Sequence, residues 1–225
     1  MVNYVVPSPA EIKEKYQKAK EEEDLVSHYI LRFLSRNLTW IILHFTLLAE
    51  FVAMMTPVID LIGIFLIFQG RWILAALLTQ LHVVIDCVDG EVARFRATVV
   101  KRSAAQNKFG AFVDSMAGML VFPVLILMAG VYMGSLLTGA VGMLLFSVNV
   151  LSSAYSKAYF PSKKKKGAAI RKKIFGNLKT KIAFSSYVQK SLVTLALLFQ
   201  SPIFIWILSV GAATMISIRF YIYRK

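Results

Sequence analysis

The chain of 225 residues is 57% hydrophobic and only 17% charged, with a mean hydropathy of +0.64. A soluble domain runs nearer about 45–50% apolar and about 25% charged, so the composition excludes a soluble enzyme, a disordered protein and, with Cys87 as its one cysteine, a disulfide scaffold. The formal charge of +14 is ordinary for an integral protein that gathers Lys and Arg in its cytoplasmic loops, and no nucleic-acid partner is expected.

Residues 1–24 form a polar N-terminal extension. Its mixed charges follow the turn-like Pro7-Ser8-Pro9 at helical spacing, which predicts a short solvated helix without chemistry. No apolar stretch opens the chain, so no cleaved signal peptide is expected. Residues 25–44 are amphipathic: Val26, Ile30, Phe33, Leu34, Leu38 and Ile41 recur every three or four positions. Ser27, His28, Arg32, Ser35 and Arg36 take the other side. This pattern predicts a helix lying in the membrane interface.

From residue 45 to 225 the sequence predicts an all-α membrane domain. Six transmembrane helices are expected at roughly 46–68, 71–95, 109–132, 134–158, 181–200 and 202–222. The connections at Gln69-Gly70, Met133-Gly134 and Ser201-Pro202 are short enough for antiparallel hairpins. The other two connections are long and basic. Twenty-five of the 26 Lys and Arg fall on one side of this arrangement, and Arg71 alone sits at a short hairpin. Both termini are therefore expected in the cytoplasm.

Six of the 12 acids lie in residues 11–24. The others are Glu50, Asp60, Asp86, Asp89, Glu91 and Asp114. A carboxylate at the centre of a span costs about 2.5–3.5 kcal/mol. At about 1.5 Å per residue, Asp89 and Asp86 lie about 8 and 12 Å inside the level of Arg94, and Asp114 about 9 Å inside that of Lys108. Three acids thus share one depth, and no buried cation is evident to match them. Asp86 and Asp89, at i and i+3, share a helix face. Such carboxylates repel unless a divalent cation joins them, and hard oxygens suit Mg²⁺ together with substrate phosphates. Gly90, Ala93, Gly110 and Gly118 allow close approach of a bulky ligand, and Arg94 offers a planar fork to phosphate. The expected site is a metal-bound diphosphate near the cytoplasmic surface.

The stretch Asp86-Cys-Val-Asp89-Gly90-Glu-Val-Ala93-Arg94, followed by Gly110-Ala-Phe-Val-Asp114, resembles the signature of the CDP-alcohol phosphotransferases, D-x2-D-G-x2-A-R and then G-x3-D-x3-D. Seven of its eight fixed positions match. The resemblance implies that residues 45–225 form the family's six-helix domain. It implies transfer of a phosphoryl-linked lipid or alcohol from a CDP-linked donor to the hydroxyl of a polar alcohol or sugar-phosphate acceptor. CMP leaves, and the setting is phospholipid or polar-lipid synthesis. Asp86, Asp89 and Asp114 would ligate Mg²⁺ or Mn²⁺. Gly90, Ala93, Arg94 and Gly110 would line the cytidine-diphosphate site. The family also implies a homodimer.

Three departures stand out. The last acid of the signature is Gly118, a change that bears on turnover rather than nucleotide binding. The spacer between Arg94 and Gly110 is long. The family's Thr-Pro-Asn element has Leu48-Ala49-Glu50 in its place. Asp114 is the expected catalytic acid, with Glu50 or His82 as a substitute base. Asp60 is expected to be buried and hydrogen-bonded. The basic run Lys163–Lys166 with Arg171, Lys172 and Lys173 suits anionic lipid headgroups, or a phosphorylated acceptor. Two other functions are compatible with these residues: a CDP-alcohol-binding relative without catalysis, and, more remotely, a cation transporter.

Overall fold

The computed structural model describes residues 4–17, 31–100, 121–159 and 186–223. Asp114, Gly110, Gly118 and the basic run 163–173 lie outside the described residues. Within them the chain is helical. After a helical turn at Pro9–Glu11 and a π-helical turn at Ile12–Tyr16 come α1 (Arg32–Leu43), α2 (Ala49–Phe68) and α3 (Trp72–Val99). Then follow α4 (Val121–Tyr132), α5 (Leu136–Tyr159), α6 (Ser186–Phe199) and α7 (Ile203–Tyr223).

Four of these helices are long and apolar enough to cross a membrane: α2, α3, α5 and α7. The 20 residues of α2 span about 30 Å at 1.5 Å per residue, the thickness of a bilayer core. The described parts of α4 and α6 are shorter apolar helices, so the described residues contain four of the six expected spans at full length. This is a membrane protein. The outer face of α2 carries Phe51, Met54, Val58, Leu61, Phe65 and Phe68, all exposed, an arrangement stable only against lipid or another apolar surface.

Three tight hairpins join α2 to α3, α4 to α5 and α6 to α7, and all close in the same way. Each helix ends on a left-handed residue: Gly70 at φ 70°, Gly134 at φ 73° and Gln200 at φ 48°. The next amide then reaches back five residues, from Arg71 to Leu66 O at 2.8 Å, Ser135 to Gly130 O at 2.9 Å and Ser201 to Ala196 O at 3.1 Å. These bonds satisfy carbonyls that a helix end leaves orphaned. Within the second hairpin the backbones of Gly130 and Gly139 touch, so a methyl group at Gly130 would collide with main chain.

Helix α3 is the centre of the bundle: α2, α6 and α1 all pack on it, while α5 packs on α7 and α6 on α7. Two apolar clusters result. One holds Val52, Ile59, Val83, Val84, Val88, Val92 and Phe95 with Leu31, Leu43 and Ile12. The other holds Ile67, Ala75, Phe122, Leu125, Phe146, Val193 and Leu208.

Two expectations are revised. Part of the polar side of α1 is turned into the protein. Arg32, Ser35 and Thr39 are buried, and Phe33, Leu34, Trp40 and Ile41 are the exposed residues. The polar stripe packs on α3 and the apolar stripe looks outward. The N-terminal extension is not merely solvated either. Ser8 and Glu11 form a capping box, and their hydrogen bonds hold the Glu11 carboxyl below its usual range. Ile12 is fully buried, and Tyr4 donates to Leu43 O at 2.7 Å. Tyr4 and Tyr16 both set their rings edge-on to Phe95.

Candidate active site

The motif residues lie on the later turns of α3. Asp86 and Asp89 are both partly exposed, and the Asp86 side chain keeps 22% of its surface. Gly90 makes room for the arginine one turn on. A Cβ at Gly90 would stand 3.3 Å from Arg94 Nη1, so the guanidinium lies folded across the glycine. Arg94 Nε donates to the Tyr16 carbonyl. Its Nη2 is buried and has no hydrogen-bond partner among the described residues. Such an orphaned donor is costly unless something accepts from it. A phosphate oxygen suits it.

Three other acids of the described residues, Glu91, Glu50 and Asp60, are held by donors from elsewhere in the chain. Glu91, inside the motif, is fully buried. Its Oε1 accepts from Arg32 Nη1 at 2.9 Å, Ser35 Oγ at 2.7 Å and Gln17 Nε2 at 3.0 Å, and its Oε2 from Thr39 Oγ1 at 2.6 Å. Glu50 accepts from Arg96 Nη1 at 2.8 Å. Asp60 is buried as expected, with Oδ1 2.7 Å from His82 Nδ1.

The expected site has no buried cation beside its acids, yet the structure supplies one. Lys190 on α6 is 5% exposed. Its Nζ lies 2.5 Å from His82 Nε2 and 3.8 Å from Asp86 Oδ2. Counted from sequence, Lys190 is one more basic residue of a cytoplasmic loop. The signal that separates it from the others is its place inside an apolar run, since a lysine there needs a partner. Arg32 carries the same signal on α1. Ala93, a further expected lining residue, is partly exposed on the motif helix.

Asp86 and Asp89 fit a hard divalent cation. They offer carboxylate oxygens one turn apart on a helix that α2 and α6 hold in place, and each keeps part of its surface open. No group of three potential ligands occurs among the described residues, and Asp114 lies outside them. The described site therefore supplies two carboxylates, one orphaned guanidinium donor and one buried ammonium, on a membrane-embedded helix bundle.

The chain belongs to the CDP-alcohol phosphatidyltransferase family, whose model matches residues 45–216. The family is one of transferases that move a phosphoalcohol from a CDP-alcohol, generally with a divalent metal. Among curated proteins none matches the chain.

Proposed function

We propose that this chain transfers a phosphoryl-linked lipid or alcohol from a CDP-alcohol to an acceptor hydroxyl, releasing CMP, in phospholipid or polar-lipid synthesis. The observation that carries this reading is the arrangement on α3: Asp86 and Asp89 half-open on one face, with Arg94 folded over Gly90 and holding one unused buried donor.

Asp86, Asp89 and Asp114 would hold Mg²⁺ or Mn²⁺. When bound, the cation neutralises the diphosphate and the charge that develops on departing CMP. Arg94 Nη2 donates to a phosphate oxygen, while Nε stays on the Tyr16 carbonyl and fixes the plane of the guanidinium. Gly90, Ala93 and Gly110 leave room for the nucleotide. Asp114 takes the proton of the acceptor hydroxyl. Glu50 serves as substitute base only after leaving Arg96. His82 has both ring nitrogens engaged, which favours a structural part for it. The donor and acceptor approach from the cytoplasmic side, where the positive-inside distribution puts both termini. The homodimer that the family implies is part of the same proposal.

The test is CMP release from CDP-diacylglycerol with Mg²⁺ and a panel of polar alcohols and sugar phosphates, run on the protein and its Gly118→Asp variant. Release by the unmodified chain supports transfer without the fourth acid. Release by the variant alone makes the chain a CDP-alcohol-binding relative whose catalysis went with that acid. Silence from both, together with no binding of the donor, overturns the reading.

A further inference from the structure

Three helices meet at a buried polar chain that the transfer reaction, as proposed above, does not use. Asp60 on α2, His82 on α3 and Lys190 on α6 follow one another at 2.7 and 2.5 Å. All three are buried, at 1%, 1% and 5% exposure. The chain ends on Asp86, whose Oδ2 lies 3.8 Å from the ammonium. We propose that Lys190 is the resident counter-ion of Asp86. In this role it is a positioning residue, held by the Asp60–His82 pair, with which a divalent cation must compete for that carboxylate.

The direction of the chain follows from donor and acceptor chemistry. A lysine ammonium has protons to give and no lone pair. His82 Nε2 must then accept, which leaves the ring proton on Nδ1, pointed at Asp60. Asp60 thereby orients the imidazole, and the imidazole orients the ammonium. The other contacts of Nζ are Asp86 and the face of Phe122, whose ring centroid is 5.8 Å away. A cation so enclosed has few rotamers and cannot swing into water, unlike an ordinary surface lysine. At 3.8 Å the pair lies just beyond hydrogen-bond range but well within Coulomb range. Asp86 therefore carries a compensating charge before any metal arrives.

The inference rests on the reading of Asp86 as a metal ligand, and it makes a signed claim. Removing the ammonium should strengthen metal binding, because a competing cation is gone. Loss of a residue that merely packs the site would weaken it. The measurement is Mn²⁺ titration by electron paramagnetic resonance, on purified full-length protein in detergent and without nucleotide. Lys190→Met is expected to lower the Kd for Mn²⁺ about tenfold. Lys190→Arg, which keeps the charge, should leave it near that of the unmodified chain. His82→Asn, which loosens the anchor at a different residue, should lower it about threefold.

Unchanged or weaker Mn²⁺ binding in Lys190→Met overturns the proposal. If that variant does not fold, unchanged binding in His82→Asn, or a Lys190→Arg shift as large as tenfold, overturns it instead. Those outcomes leave the transferase reading standing. Absence of Mn²⁺ binding by the unmodified chain removes the metal reading as well, and the two failures are thus distinct.

Discussion

Glu91 and Asp86 are acids on the same helix, five residues apart, and their surroundings are opposite. Glu91 is sealed, with four side-chain donors on its two oxygens. Asp86 is 22% exposed and has a single ammonium at 3.8 Å. A fully saturated carboxylate has no coordination left to give. It ties α1 and the N-terminal extension to α3. A carboxylate with spare lone pairs and an open side is one that a ligand can still use. The degree of saturation, more than burial or motif position, separates Glu91, the acid that holds the fold, from Asp86, the acid of the proposed site.

The strongest way to break this comparison is Glu91→Ala. It removes the carboxylate to which Arg32, 3% exposed, donates, and breaking a buried pair costs about 3–5 kcal/mol. Thermal unfolding in detergent should show that loss, with activity falling because the protein is depleted. Asp89→Asn should do the reverse. It should leave the unfolding temperature within about 2 °C, as expected of a partly exposed position. CMP release should drop about 100-fold, equivalent to about 2.7 kcal/mol in barrier height. A stability loss in Asp89→Asn comparable to that in Glu91→Ala would collapse the distinction. The finest test is Thr39→Val, which deletes one of the four donors to Glu91 at constant shape. It should cost about 1 kcal/mol, with CMP release per folded molecule unchanged.

Much of this architecture is legible in the sequence. Helices α2, α3, α5 and α7 fall close to the expected ranges, because long apolar runs and short turns leave little choice. The acids of α3 are also conspicuous, since charge inside a span is expensive. The different fates of Glu91 and Asp86 are not legible. Five residues turn a helix by about 140°, so the two face different neighbours, and those neighbours come from far away in the chain. Gln17, Arg32, Ser35 and Thr39 lie 52–74 residues from Glu91, and Lys190 lies 108 residues from His82. The stripe Arg32, Ser35, Thr39 is a visible hint, at i, i+3 and i+7. What periodicity does not give is the direction of that stripe, which turns inward onto α3.

The three hairpins closed by the same five-residue reach-back also bear on how this protein can be handled. Each turn is spent on its own hydrogen bonds and spans only a few residues, too few for the extended segment that a protease needs to grip in its cleft. In sealed vesicles, proteolysis from the hairpin side should leave these three helix pairs uncut. A tag or reporter for following the molecule in a membrane therefore belongs at the chain ends rather than in those turns.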